Sequence, residues 1–291
     1  MARKPLLGWW RGVLRLVAVP LTLPTHPLAV VPLKIWRPRW FDGVALVVGA
    51  VAPDIPYAID GYGFVIRGHA WHAVLWWSVP LTLLAAALIR WSAPVVAAHL
   101  PGGDRDGAGW LGFGGLALRD YGVLGTVRHR WWVSAGSAII GAGSHLLWDL
   151  FTHPHYLESG WIRTEPVAGW PWWMIMVRLS DLVGLVAGVA LVIWLGRTGA
   201  LRRWHGPPPP VEAQTARFWS AFAAVVGVGA VVLPLQPAQY PPQQAIRVLL
   251  IGCLALLAGA GAASVGTGRR GSRRPGDSAE ARVAAGTSGQ G

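Results

Sequence analysis

The chain has 291 residues, of which 53% are hydrophobic and 13% are charged, with a mean hydropathy of +0.43 and a formal net charge of +12. Soluble domains carry about 25% charged residues, and here the charges fall between long apolar blocks, which excludes a soluble globular protein. The basic residues are scattered through short loops, which argues against nucleic-acid binding. The single cysteine, Cys253, lies in an apolar run and excludes both an internal disulfide and a cysteine-ligated zinc site.

Six apolar blocks have about the length that a helix needs to cross a bilayer, roughly 20 residues at 1.5 Å each. They cover residues 43–59, 70–91, 131–151, 173–196, 217–237 and 246–266. The first block is short and ends at Pro53 and Pro56, which break a helix. The pattern predicts an all-α fold, a polytopic transmembrane helix bundle of about six spans.

The N-terminal apolar stretch 12–33 contains Arg15, His26 and several prolines, so we expect an interfacial or re-entrant segment and not a signal peptide. If this stretch does not cross the membrane, His26 stays on the cytoplasmic side. Residues 1–18 are interpreted as an extension or a misplaced start, and residues 101–115 as a structureless loop. The predicted parts are an N-terminal segment (1–42), a four-helix core (43–196), a Pro-rich linker (197–216), a two-helix hairpin (217–266) and a disordered tail (267–291).

Lys and Arg are concentrated in alternate connections: before the first block, between the second and third, between the fourth and fifth, and after the sixth. The other connections hold only Arg67, Arg163 and Arg247. Because cytoplasmic loops carry the excess of basic residues, we predict a multi-pass protein of the cell membrane with a cytoplasmic C-terminus. Many tryptophans fall near the predicted span ends, as in an interfacial aromatic belt.

Several ionisable residues interrupt the apolar blocks, where they are costly and mark functional candidates. In chain order they are Asp54, His69, His72, His145, Asp149, His153, Arg178 and Asp181. Under the predicted topology all of them lie in the outer half of the membrane, although they come from four segments of the chain. They are therefore expected to meet.

The spacing of these residues favours a metal site. His145 and Asp149 are four residues apart and share a helix face, about 6 Å from each other. Imidazole and carboxylate suit zinc, manganese or iron, and a catalytic site needs about three protein ligands and one open position. Asp54, His69, His145 and Asp149 meet this need for one or two divalent metals. Candidates for a second ion, or for orienting the ligands, are His26, His72, His153 and Asp181.

Four segments form an ordered set: Thr-His-Pro at 25–27, Gly-Ala-Val-Ala-Pro-Asp-Ile-Pro at 49–56, His69 eleven residues before Pro80, and Ser-His-Leu-Leu-Trp-Asp-Leu-Phe-Thr-His at 144–153. Over about residues 20–265 the chain resembles a family of bacterial membrane proteins known as domain of unknown function 4184. That family is similar to membrane-bound metal-dependent hydrolases, although Gly-His-Ala at 68–70 departs from their usual Thr-His-Ser. The resemblance implies that the metal positions are His26, Asp54, His69, His145 and Asp149, together with His153.

These observations predict metal-dependent hydrolysis of a phosphoester or ester in a lipid-like substrate at the outer membrane face. Asp54 or Asp149 would serve as ligand or general base, and the expected partners are the bilayer and that substrate. Two alternatives stay open. One is a proton or metal-ion transporter, and the other is a non-catalytic scaffold in which Asp54 caps a turn, Arg178 and Asp181 neutralise each other, and the histidines complete a structural network.

Overall fold

A computed structural model describes residues 25–101, 113–153, 169–237 and 241–268, and this part of the chain is all helical. The predictions for residues 1–18, for most of the loop 101–115 and for nearly all of the tail 267–291 lie outside these ranges. Eight α-helices are described in chain order. They are α1 (Thr25–Trp36), α2 (Gly43–Gly49), α3 (Val79–His99), α4 (Trp131–Thr152), α5 (Trp172–Thr198), α6 (Ala200–His205), α7 (Thr215–Val232) and α8 (Pro241–Gly268).

Shorter helical segments connect these elements. A π-helical turn at Val74–Ser78 leads directly into α3. The 3-10 helices are Ala52–Ile59, Phe113–Leu116, Leu118–Gly125 and Leu233–Leu235.

Four helices are long and apolar enough to cross a membrane, judged by length and composition alone. They are Val74–His99, Trp172–Thr198, Thr215–Leu235 and Pro242–Val265, and they coincide with four of the six predicted blocks. The other two blocks are not confirmed as spans. Block 43–59 is a seven-residue α-helix followed by a 3-10 helix, because its prolines interrupt the α-helical hydrogen bonds. Helix α4 has 22 residues, but its buried face carries polar side chains.

Helices α1 and α2 form a hairpin whose turn is closed by two side chains. The Lys34 ammonium donates hydrogen bonds to the carbonyl oxygens of Pro38 and Phe41, at 2.6 and 3.0 Å. The Asp42 carboxylate caps α2 by accepting hydrogen bonds from the first backbone amides of that helix. The turn residues therefore fix the direction in which α1 and α2 leave it.

A buried polar cluster joins this turn to α3 and α4. The Ser134 hydroxyl donates to Asp42 Oδ2 at 2.5 Å, and the Asp42 amide donates to Ser137 Oγ at 3.0 Å. The Arg90 guanidinium forms an ion pair with the same carboxylate, which is 1% exposed. We call Asp42, Arg90, Ser134 and Ser137 the Asp42 cluster.

Helices α2 and α4 pack with their backbones in contact. A Cβ atom added at Gly141 would lie 2.4 Å from the carbonyl oxygen of Leu46, and one added at Gly49 would lie 2.6 Å from that of Ala138. Such distances leave no space for a side chain. The close approach brings the C-terminal end of α2 within reach of side chains on α4.

Contacts from α5 and α8 hold the other end of the bundle. The Thr25 hydroxyl donates to the carbonyl oxygen of Ser180 at 2.7 Å, which fixes the start of α1 against α5. From α8, the Arg247 guanidinium donates to the carbonyl oxygens of Ala58, Asp60 and Pro237 at 2.6–2.9 Å. These contacts position the two short segments that carry candidate site residues.

Candidate metal centre

Helix α4 contributes two site residues from its buried face. His145 and Asp149 are 0% and 2% exposed. The His145 Nδ1 atom lies 2.8 Å from the carbonyl oxygen of Ala50, and because a carbonyl oxygen can only accept, Nδ1 carries the proton and donates it. In the neutral imidazole, Nε2 is therefore a free lone pair, the form that binds a metal.

The free carbonyl of Ala50 follows from the sequence. Its 3-10 partner would be the amide of residue 53, but Pro53 has no N–H. Its α-helical partner would be the amide of Asp54, which donates to the carbonyl oxygen of Val51 at 3.1 Å. The Ala50 carbonyl is thus left to orient His145.

Asp54 and His69 meet because the loop before α3 packs tightly on the 3-10 helix. A Cβ atom at Gly68 would lie 2.3 Å from the carbonyl oxygen of Pro53, so only glycine fits at this position. This contact accounts for the glycine at position 68 of the Gly-His-Ala segment. It places His69 Nε2 at 3.1 Å from Asp54 Oδ1.

Donor atoms of four residues converge on one point. His69 Nε2 lies 3.3 Å from both His145 Nε2 and Asp149 Oδ2. His145 Nε2 lies 3.2 Å from Asp149 Oδ2 and 3.5 Å from Asp54 Oδ1. With the Asp54–His69 contact, five separations among these four atoms fall between 3.1 and 3.5 Å.

The structure also brings His26 to this point. His26 is 1% exposed, its ring stacks on that of His145 with centroids 3.8 Å apart, and its Nε2 lies 3.7 Å from Asp149 Oδ1. Helix α1 begins here and runs away towards Lys34. His26 is therefore at the level of the other candidates and is not separated from them, because Thr25 anchors the start of α1 on α5.

His153 lies at the exposed edge of the group. Its Nδ1 atom is 3.4 Å from Asp149 Oδ1 and 3.1 Å from the Thr152 hydroxyl oxygen, and its side chain is 35% exposed. Two neighbours, His69 and Asp54, are 17% and 13% exposed. The group is thus open on one side. We call its six members the His/Asp cluster: His26, Asp54, His69, His145, Asp149 and His153.

Two further sequence candidates are placed elsewhere. The His72 side chain is exposed, and its ring faces Trp76 at a centroid distance of 6.4 Å. Asp181 forms an ion pair with Arg178, with 3.8 Å between Oδ2 and the guanidinium nitrogen. We therefore leave His72 and Asp181 outside the His/Asp cluster.

The donor set fits a divalent cation. Ligands at about 2.0–2.1 Å from a tetrahedral metal lie about 3.3 Å apart, which matches the separations of 3.2–3.3 Å among His69 Nε2, His145 Nε2 and Asp149 Oδ2. His69 Nε2 has three close neighbours: Asp54 Oδ1, His145 Nε2 and Asp149 Oδ2. A single proton on Nε2 can form a hydrogen bond to only one of these atoms, whereas a metal ion can bind all of them. Among the described residues, neither Asp149 oxygen has a hydrogen-bond partner despite its burial, which is costly for a carboxylate. The His/Asp groupings could therefore hold a metal ion.

The structural role of Arg247 was not predicted from the sequence. There, this residue is only one of the few basic residues in the connections that are poor in Lys and Arg. The structure shows that Arg247 is 7% exposed and holds the segment that carries Asp54. A lone arginine within the first turns of an otherwise apolar helix is the signal that could have identified it.

One of the comparisons with known proteins identifies a family for this chain. No curated protein and no solved structure matches the chain. The family described as "Domain of unknown function (DUF4184)" matches residues 19–265, a range that contains all six members of the His/Asp cluster. The chain belongs to this family of domains of unknown function, DUF4184.

Proposed function

We propose that this protein is a membrane metallohydrolase that cleaves a phosphoester or ester bond in a lipid-like substrate. The observation that carries the proposal is the convergence of His69, His145, Asp54 and Asp149, with donor atoms 3.1–3.5 Å apart. These residues come from three separate segments, each fixed by its own backbone contact. Zinc and manganese are the ions that suit this mixture of imidazole and carboxylate ligands.

The residues divide into ligands and a base according to their surroundings. Asp149 is 2% exposed and lies between imidazoles, which suits a ligand. Asp54 is more exposed, at the open side, which suits a general base that accepts a proton from entering water. A bound divalent ion would supply Lewis acidity and lower the pKa of bound water to about 7. The Ala50 carbonyl keeps the His145 proton on Nδ1, so Nε2 stays available as a ligand.

The surroundings of the open side support a lipid-like substrate. The loop that carries His69 and the π-helical turn after it expose large aromatic side chains, among them Tyr62, Phe64, Trp71 and Trp76. Such side chains favour the headgroup level of a bilayer. The basic residues of the α1–α2 turn lie at the far end of that hairpin. Together with the positive-inside rule, this arrangement supports a location of the His/Asp cluster at the outer face of the cell membrane, with the C-terminus in the cytoplasm.

The interior of the bundle favours a hydrolase over a transporter. A transporter would need polar groups that continue from the cluster towards the other membrane face. On the buried face of α4, Ala138, Gly141 and Ala142 separate His145 from Ser137. The backbone of α2 packs directly against Ala138 and Gly141, which leaves no polar route along this face.

The experiment is an assay of detergent-purified protein loaded with zinc or manganese. Its substrates are phospholipids with different headgroups, bis(p-nitrophenyl) phosphate and p-nitrophenyl esters. We expect chelator-sensitive hydrolysis by the wild type and by His72→Ala, a matched control outside the cluster. Asp54→Asn should be at least about 100-fold slower, because a general base contributes about 10²–10⁴-fold. Equal rates for Asp54→Asn and wild type, or no product from any substrate with metal-loaded wild type, would contradict the proposal.

A further inference from the structure

The two oxygens of Asp149 face different histidines. Oδ2 lies 3.2 Å from His145 Nε2 and 3.3 Å from His69 Nε2. Oδ1 lies 3.4 Å from His153 Nδ1 and 3.7 Å from His26 Nε2. One carboxylate thus separates two pairs of imidazole nitrogens.

The stacking of His26 on His145 indicates how far apart two metal sites would lie. The ring centroids are 3.8 Å apart and the rings are inclined by 25°. An imidazole binds a metal in the plane of its ring, so stacked rings direct their Nε2 lone pairs to two separate points. Both Nε2 atoms face the same carboxylate, and the ring separation matches the 3.5–4 Å between the ions of two-metal centres.

Hydrogen bonding does not account for the position of His26. The 3.7 Å from His26 Nε2 to Asp149 Oδ1 is too long for a hydrogen bond. His26 Nδ1 has no hydrogen-bond partner among the described residues, although the side chain is 1% exposed. Burying an imidazole in this way costs free energy unless it binds something. A ligand atom of Asp54 also lies within 4.8 Å of those of His26 and His145.

We propose that the His/Asp cluster is a two-metal centre bridged by Asp149. The first ion is bound by His69, His145 and Asp149 Oδ2, and Asp54 lies beside it as the general base. The second ion is bound by His26, His153 and Asp149 Oδ1. This inference rests on the metal site of the proposed function and deepens it.

A second metal ion would favour phosphoesters among the proposed substrates. In two-metal sites the ions stabilise the attacking and the leaving oxygen of an in-line displacement at phosphorus. His153 is at the exposed edge, so the second ion faces the open side, where a substrate enters. Phosphoesters are therefore the favoured substrates over carboxylic esters.

The test is metal stoichiometry measured by mass spectrometry on folded, monodisperse protein in detergent after loading with manganese. We expect about two ions per chain in the wild type and in His72→Ala. His26→Phe keeps an aromatic ring beside His145 but removes both nitrogens, and it should retain about one ion. His153→Ala, at the exposed edge, should also retain about one ion, and it decides the question if His26→Phe does not fold.

Electron paramagnetic resonance of the same samples provides a readout that does not depend on activity. Two manganese ions bridged by one carboxylate give an exchange-coupled spectrum, whereas the single-ion variants should give the six-line pattern of an isolated ion. One ion per chain in wild type, retained in both variants, would overturn the two-metal centre and leave the proposed function standing. No metal in wild type would overturn both.

Discussion

The Asp42 cluster and the His/Asp cluster lie at opposite ends of one face of α4, and each buries carboxylate groups in an apolar bundle. Between Ser134 and His145 the helix rises about 17 Å, from 1.5 Å per residue. In the Asp42 cluster the carboxylate meets a guanidinium, a serine hydroxyl and backbone amides. In the His/Asp cluster the carboxylates meet imidazoles, and the Asp149 oxygens have no hydrogen-bond partner among the described residues.

This difference separates a structural cluster from a ligand set. Burial by itself would raise the pKa of Asp42, but the hydrogen bond from Ser134 and the charge of Arg90 together hold the pKa below its ordinary value. The Asp42 charge is therefore compensated by the protein alone. The His/Asp cluster gathers imidazole nitrogens and carboxylate oxygens around one small space, and these are the ligand types that a divalent ion binds.

The largest expected effect is on the Asp42 cluster. Arg90→Met leaves the Asp42 carboxylate buried without its cation, and breaking a buried pair costs about 3–5 kcal/mol. Thermal unfolding of detergent-purified protein should show a large drop in melting temperature. The control is Arg39→Met, at an exposed position of the α1–α2 turn, which should melt like wild type. A melting temperature for Arg90→Met equal to that of the control would show that the Asp42 cluster is not structural.

A smaller effect is expected where α2 and α4 touch, because that contact links the two clusters. Gly141→Ala puts a Cβ atom 2.4 Å from a backbone oxygen of α2. Overpacking of this kind costs about 1–3 kcal/mol, and it should also weaken metal binding by moving Ala50 away from His145. Gly143→Ala is the matched control, since nothing lies within 4 Å of its added Cβ. If the two variants have equal stability and equal metal affinity, the close packing does not position His145.

The smallest effect is expected when Arg247, which holds the segment that carries Asp54, is replaced. Arg247→Lys replaces a fork that donates to three carbonyl oxygens with a single ammonium group, which cannot span them. Metal affinity should fall about tenfold, the lower limit for residues that orient ligands. Competition with a coloured chelator measures the affinity. Arg197→Lys, at an exposed position, should match wild type, and an unchanged affinity for Arg247→Lys would exclude this support role.

Three of the four long apolar helices could be predicted from the sequence to within four residues, because composition over about 20 residues is a strong signal. Block 70–91 ends eight residues before the helix Val74–His99 does. The meeting of His145 and Asp149 followed from their spacing on one helix. The alternation of basic loops also led to the expectation that Asp54 and His69 meet, and the structure places them 3.1 Å apart.

Other features depended on tertiary contacts. The position of His26 was left open, since it depends on how a short, proline-containing helix docks on α5 through Thr25. The pairing of Arg90 with Asp42 joins residues 48 positions apart, which no local pattern in the sequence indicates. The two serines three residues apart, Ser134 and Ser137, were the local signal for that cluster. The failure of block 43–59 to form a continuous helix follows from Pro53, which also frees the Ala50 carbonyl.

The most direct test of the contrast between the clusters is the shift in melting temperature that zinc or manganese produces. Metal at about 100 times its Kd adds about 2.7 kcal/mol to the folded state. We predict a clear rise for wild type and for Asp42→Asn, although metal-free Asp42→Asn melts below wild type. Asp149→Asn should melt at or above metal-free wild type and show no rise. An equal rise in Asp149→Asn, or no rise in wild type, would contradict the assignment of the His/Asp cluster as a metal centre.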